Sequence, residues 1–171
     1  MPDLKRPNYF AGRLLTVEDF QAEQDYHGSK ARRHNLLIHG SGVVVGLHVS
    51  MENSAVGSAV LVEPGFALDP LGNEVQLDER RKLPIVNSCA SFQVRIRYLE
   101  RFADGLPATG QGGSVSTQPR WIVETCEVVL VSEPFPTDPA NPADAGVALA
   151  RVVRRGRRWH VDRRFKVPHA R

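Results

Sequence analysis

Three side chains near the N-terminus have types and a spacing that could do chemistry. Asp19, Glu23 and His27 follow one another at intervals of four residues, which places them on one face of an α-helix. Two carboxylates and an imidazole in this arrangement could hold a cation or pair an acid with a base. Helical pairs of this spacing also occur without any function. We therefore expect neither a metal nor a catalytic role for these three residues.

The rest of the sequence carries no known catalytic motif. It lacks G-x-S-x-G, H-E-x-x-H, G-x-x-x-x-G-K-[ST] and a G-x-G-x-x-G that opens a helix. Cys89 and Cys126 have no companion at metal-ligand spacing and are predicted to be buried free thiols, which fits a reducing compartment. His39 and His48 have no nearby carboxylate or thiolate. We predict no catalytic residues, no metal, no cofactor and no enzymatic activity.

A long helix, predicted within residues 16–40, positions Asp19, Glu23 and His27. Thr16 followed by Asp19 forms a capping-box-like start, and Gly40 supplies the stop. Acidic residues lie near the start and basic residues near the end, which is the polarity that the helix dipole favours. Beyond this helix the sequence alternates, turns or loops, so the helix is the framework of the chain.

One face of this helix is unusual because it is apolar at both ends and polar in the middle. Steps of three and four residues define this face, the helix seam, as Phe20, Gln24, His27, Ala31, His34 and Ile38. A polar centre suits the alignment of a partner helix better than a private core, so we predict the seam as a protein interface. In the alternative interpretation the apolar residues, with Leu36 and Leu37, dock on the chain's own sheet, and Gln24 and His27 face water.

After Gly40 the pattern changes to that of short strands joined by turns. Phe92, Val94 and Ile96 share one face of an alternating strand, and further strands are predicted at 43–50, 59–63, 66–68, 74–77 and 120–131, with a final hairpin around Gly156. We predict a mainly β (α+β) fold in which a long N-terminal α-helix precedes a small antiparallel β domain, sandwich or barrel-like. Strands of ordinary length would number roughly seven to nine.

Composition divides the chain into two parts. Residues 1–40 form an N-terminal arm and the long helix, and residues 41–171 form the antiparallel β domain. Within that domain, residues 103–118 have four glycines and no apolar pattern, which predicts a mobile surface loop or a binding loop.

Charge is unevenly distributed along the chain. Residues 151–171 contain nine Lys or Arg against Asp162 alone, whereas residues 1–150 carry more acidic than basic residues. Four arginines crowd the predicted hairpin tip, Arg154, Arg155, Arg157 and Arg158. A basic end on an acidic body indicates assembly or contact with nucleic acid. Few aromatic residues accompany the arginines, so we do not expect nucleic-acid binding, and a solvated hairpin is the simpler alternative.

The N-terminal sequence MPDLKRPNYF lacks the apolar core of a signal peptide, and no apolar run approaches the length of a membrane span. We therefore expect cytoplasmic synthesis without a signal peptide.

Two sequence patterns in the first fifty residues are specific, F-x-G-x-L-L-x-x-x-D-F-x-x-E-Q-x-Y and H-G-x-G-V-V-x-G-L-x-V. The residues that match them are Phe10, Gly12, Leu14, Leu15, Asp19, Phe20, Glu23, Gln24, Tyr26, His39, Gly40, Gly42, Val43, Val44, Gly46, Leu47 and Val49. With these patterns the chain resembles, over most of its length, a bacterial family found among components of phage-tail-like contractile injection systems. Val45 stands where that family has a cysteine.

The resemblance implies a structural adaptor of the baseplate or tail-fibre connector type, with other particle subunits as partners in a homo-oligomer or hetero-assembly. It also implies that the chain joins an assembled particle that is released or docked at a membrane. A long helix with a polar-centred seam suits bundling, and a β body offers edges for strand addition. Two other functions stay open: a ligand- or carbohydrate-binding β module, and a nucleic-acid binder that uses the basic end.

Overall fold

The long helix begins where its capping residues predict. In the computed structural model, residues 4–55, 57–86, 89–109, 115–132 and 146–171 are described, with the backbone alone for residues 106–109 and 115–117. Helix α1 spans Val17–His34, and the Thr16 amide donates to the Asp19 carboxylate at 3.1 Å in a capping box. The helix continues into one π-helical turn, Asn35–His39, which ends at Gly40 with a φ of 75°.

Ten strands follow within the described residues, and they pair antiparallel in three sheets. They are β1 (Gly42–Gly46), β2 (Val49–Ser54), β3 (Gly57–Val62), β4 (Gly65–Leu68), β5 (Glu74–Leu77), β6 (Arg81–Pro84), β7 (Ser91–Thr109), β8 (Val115–Ser132), β9 (Val147–Arg155) and β10 (Arg158–Val161). The sheet orders are β1-β4-β5, β2-β3-β6 and β10-β9-β7-β8. The predicted mainly β (α+β) fold, an N-terminal helix followed by antiparallel sheets, is confirmed.

All three sheets contribute to one apolar core. Phe92, Val94 and Ile96 are fully buried on β7, as their alternation predicts. Val60 and Val62 come from β3 and Val75 from β5, and Trp159 of β10 packs on Phe92 with ring centroids 5.1 Å apart. A core shared in this way holds the small sheets against the four-stranded one.

The predicted strand at 43–50 is divided in two. β1 ends at Gly46 and β2 starts at Val49, and between them Leu47 adopts a positive φ of 56°. The Leu47 side chain is buried in the core, and its amide donates to the Pro64 carbonyl at 3.1 Å. These contacts compensate for an unfavourable backbone conformation that an apolar sequence pattern does not reveal.

The segment 103–118 is not a loop where its backbone is described. β7 continues to Thr109 and β8 starts at Val115, with pairs from Ala103 opposite Trp121 to Thr109 opposite Val115. A ladder of backbone hydrogen bonds thus extends through residues that have no apolar pattern, because strand pairing depends on the backbone of the partner strand. Residues 110–114 lie outside the described part, and the predicted mobility of the segment stays a prediction, as does the division into parts 1–40 and 41–171.

The last residues of the chain lie along the first strand. The Val43 amide donates to the Pro168 carbonyl at 2.8 Å, and the Arg171 amide donates to the His39 carbonyl at 2.8 Å. Gly42 permits this approach, because an added Cβ there would lie 2.6 Å from the Pro168 backbone. The edge of β1 and the end of the π-helical turn are therefore covered by residues from the other end of the sequence.

Candidate functional site

Asp19, Glu23 and His27, whose side chains could do chemistry, instead contact the N-terminal arm or one another. The Tyr9 hydroxyl donates to the Glu23 carboxylate, and the Arg13 guanidinium pairs with Asp19. The bond to Glu23 raises the pKa of Tyr9 above its ordinary value. The His27 Nε2 atom lies 3.9 Å from a Glu23 oxygen. The two carboxylates thus fasten the arm along the first turns of α1, and no cluster of metal-ligating residues occurs among the described residues.

The helix seam is exposed along its whole length. No residue of Val17–His34 is buried, and Phe20 and Ile38 at the two ends of the seam are 55% and 60% exposed. The four polar and small residues between them, Gln24, His27, Ala31 and His34, are exposed as well. Leu37 is 63% exposed, so the alternative in which the apolar residues dock on the chain's own sheet is wrong for Phe20, Leu37 and Ile38.

The helix is attached to the β body at its C-terminal end. Asn35, the buried residue of the π-helical turn, donates from its side-chain amide to the Gly72 carbonyl at 3.0 Å. Gly72 has a φ of +85° and lies so close to Arg32 that an added Cβ would be 2.9 Å from the Arg32 carbonyl carbon. This close approach fixes where the helix meets the β4–β5 turn.

A continuous trough separates α1 from the sheet edge beside it. Three adjoining cavities form it, and all three have Glu124 in their walls. The two beside α1 also share Gly28 and Arg32, and the third, which no residue of α1 lines, shares Glu74 with one of them. The widest, beside α1, encloses about 520 Å³. The ionisable residues that line the trough are Asp25, Arg32, Glu74, Asp78, Tyr98, Glu100, Arg120 and Glu124. Five of these are acidic and two are basic. The trough therefore has a net negative charge, and Gln24 and Ala31 of the seam lie at its rim.

Tyr98 lies half-buried in the wall of the trough, beside two of its carboxylates. Its hydroxyl donates to the Glu100 carboxylate at 2.9 Å, and burial together with Glu100 and Glu124 raises the pKa of Tyr98 far above its ordinary value. The two arginines neutralise this charge only in part. Arg120 stacks on Trp121 with its guanidinium 4.9 Å from the ring centroid, and the Arg32 guanidinium folds back toward Gly28.

The basic tip joins β9 to β10 through a two-residue turn. Arg155 pairs with Arg158, and Gly156 supplies a φ of 63° at the first central position, the pattern of a type II′ turn. Arg154, Arg155, Arg157 and Arg158 are all exposed. Trp159, immediately after the tip, is buried, and its backbone bonds to the Asn53 side chain through both its amide and its carbonyl, each at 3.2 Å. The base of the hairpin is fixed, and the four charges project from it.

The sequence patterns did not predict one group of large, exposed apolar side chains. Phe102, Trp121, Ile122 and Val123 are 72%, 52%, 60% and 46% exposed on the paired strands β7 and β8. β8 is an edge strand of its sheet, so among the described strands none pairs with the outer hydrogen-bonding groups of this apolar segment. Three consecutive apolar residues in a predicted strand, here Trp121, Ile122 and Val123, were the available signal.

No helix in the described residues is long and apolar enough to cross a membrane. No family model and no curated protein matches the chain. Solved structures do match in fold. One is a chain of the type VI secretion system TssK-TssF-TssG baseplate subcomplex, determined by cryo-electron microscopy. It superposes with a TM-score of 0.58 at 16% identity, and the alignment covers 98% of the present chain and 62% of that chain.

Two further solved structures are similar to the present chain in fold. A chain of the baseplate complex from the type VI secretion system has a TM-score of 0.53 at 16% identity and covers 98% of this chain. The crystal structure of TssK has a TM-score of 0.52 at 16% identity and covers 94%. The present chain spans about three-fifths of the first two chains, 62% and 60%, and 41% of the third. At this identity the comparison shows a shared fold, which is found in baseplate components of a secretion system.

Proposed function

We propose that the chain is a structural adaptor of a phage-tail-like contractile injection particle, of the baseplate or fibre-connector type, and not an enzyme. It assembles with other particle subunits through the helix seam and through the open edge of β8. The shared fold with type VI secretion baseplate chains supports this role. So does the sequence resemblance to the family associated with injection systems.

The observation that carries the proposal is the absence of any buried residue in α1. Most of the stability of a protein helix comes from packing one face against a neighbour. Within the chain, α1 has the arm contacts at its start and the Asn35 contact to Gly72 at its end. A seam with Phe20 and Ile38 more than half exposed would gain its packing from a partner.

The β8 edge offers a second contact of a different kind. An exposed edge strand can accept another strand through its backbone groups. Trp121, Ile122 and Val123 provide apolar side chains at this edge. In the proposed adaptor, the seam sets the register of a helical partner and the edge accepts an extended segment.

The test introduces charge into the centre of the seam. The variant Gln24→Glu with His27→Glu should weaken self-association or partner association measured by sedimentation velocity, because two carboxylates would be buried in the interface. The fold should survive, since both residues are exposed in the single chain. Circular dichroism and the melting temperature verify this.

The matched control is Ala22→Glu with Ser29→Glu. These positions lie on the side of α1 opposite the seam, about 180° from its centre, and the substitution adds the same charge. An interface at the seam predicts a strong effect for the first variant and little effect for the control. If the first variant and the parent had the same oligomeric state, the seam would not be the contact surface.

A further inference from the structure

Two surfaces of opposite charge lie at opposite ends of the same sheet. β9 places the basic tip beside the start of β7, where Val153 pairs with Ser91. The acidic trough lies farther along the same strand, where Glu100 pairs with Glu124. Nine residue steps of extended strand separate Ser91 from Glu100, which is roughly 30 Å. An arginine side chain cannot cover that distance, so the tip of a chain cannot reach its own trough.

The tip has no charge partner of its own among the described residues. Arg154, Arg155, Arg157 and Arg158 take part in none of the ion pairs found there. Asp162 is the acidic residue in the neighbouring cavity, and it accepts the Arg164 amide at 3.1 Å. Four like charges on one short turn repel one another unless an anionic surface approaches.

The acidic residues of the trough likewise lack an ion-pair partner among the described residues. Asp25, Glu74, Asp78, Glu100 and Glu124 form no ion pair with a described basic residue. Glu100 and Asp78 accept bonds from Tyr98 and Gln76, which are neutral groups. A volume of about 520 Å³ in the widest section leaves room for guanidinium groups beside the exposed ring of Trp121.

We propose that the arginine tip of one copy docks in the acidic trough of a second copy, in a head-to-tail contact. This inference rests on the proposed role in assembly and names one of its contacts. Because the two surfaces differ, the contact is heterologous, and its repetition produces a closed ring or a filament.

Charge and the burial of Trp159 favour a second copy over nucleic acid as the partner of the tip. Binding of single-stranded nucleic acid uses exposed aromatic rings beside the basic groups, but Trp159, the ring next to the tip, is 6% exposed and packed on Phe92. The trough supplies an excess of acidic over basic residues on the same chain.

The experiment is a charge exchange followed by sedimentation velocity between roughly 0.05 and 0.5 M NaCl. The tip variant is Arg155→Glu with Arg157→Glu, and the trough variant is Glu74→Lys with Glu124→Lys. Each should associate about tenfold more weakly than the parent at the lowest salt. An equal mixture of the two should recover parental association, because the reversed tip then meets the reversed trough.

The matched control is Lys30→Glu with Arg33→Glu, which gives the same change in net charge on an exposed part of α1 away from the tip. It should leave association close to that of the parent. A variant with all four tip arginines replaced by Ser should keep the parental melting temperature and lose the salt dependence of association. This neutral variant tests the tip even if a charge-reversed protein folds poorly.

Three results would overturn the inference: a parent that stays monomeric at low salt, a mixture that associates no better than its components, or equal association of parent and four-Ser variant across the salt series. Tip-dependent binding of duplex DNA, without recovery in the mixture, would assign the tip to nucleic acid instead. A failure of the proposed seam interface can be distinguished from a failure of tip docking. The seam variant makes the trough rim more acidic through Gln24→Glu, so it does not weaken the docking of the tip.

Discussion

Gly72 is the position where one added methyl group should test how α1 is held. In Gly72→Ala the alanine must adopt a φ near +85°, which costs about 1–2 kcal/mol for a residue with a Cβ. The Cβ would also lie 2.9 Å from the Arg32 carbonyl carbon and 3.0 Å from the Arg32 Cα. Ordinary contact requires the helix end to move away by about 1 Å.

That movement would break the contact that anchors the helix. The Asn35 to Gly72 hydrogen bond is 3.0 Å long, and lengthening it by about 1 Å removes roughly 1 kcal/mol. We expect Gly72→Ala to lower the free energy of unfolding by about 2–3 kcal/mol in total. Urea unfolding followed by circular dichroism measures this loss, and hydrogen exchange at Asn35 shows whether the helix end has detached.

Gly156→Ala measures the cost of a positive φ alone, without the close contact that an added Cβ at Gly72 makes with Arg32. Gly156 also has a positive φ, +63°, but no atom of the described residues lies within 4 Å of an added Cβ. It should cost about 1–2 kcal/mol, the strain alone. Equal losses for the two variants, with unchanged exchange at Asn35, would refute the idea that the approach of Gly72 to Arg32 positions the helix.

Two further predictions concern residues 103–118 and Tyr98. Proteinase K should cut first within residues 103–118, because their glycines and lack of apolar anchors favour local opening; a first cut at residues 40–46, or no cut, would contradict this. The raised pKa of Tyr98 means that the folded state keeps this proton at pH values where the unfolded state releases it. Stability should therefore fall as pH rises above about 10. Tyr98→Phe should make that fall shallower than in the parent in urea unfolding at several pH values, and an unchanged slope would exclude the effect.

Local signals predicted the elements that depend on local chemistry. Thr16 and Asp19 marked the helix start, the alternation around Phe92 marked β7, and Gly156 marked the final hairpin. In each case the residues that form the element are close in sequence, so their spacing contains the necessary information.

Features that depend on distant residues could not be read in the same way. Leu47 leaves the strand conformation because core burial and the Pro64 carbonyl compensate for its positive φ. The extension of β7 through a glycine-containing segment depends on its partner β8. The trough is formed by Asp25, Glu74 and Glu124, which lie on a helix and two different strands. Sequence spacing gives no indication that these three residues line the same trough.

The pairing of the C-terminal segment with β1 has a consequence for the order of folding. The Arg171 carbonyl is 2.8 Å from Nδ1 of His39, a contact between residues 132 positions apart. During synthesis, the edge of β1 and the end of the π-helical turn must wait for nearly all of the described chain to leave the ribosome. Long-range closure of this kind slows folding and leaves a strand edge open in the meantime. Chains that stop before Pro168 would keep that edge exposed and available to chaperones and proteases.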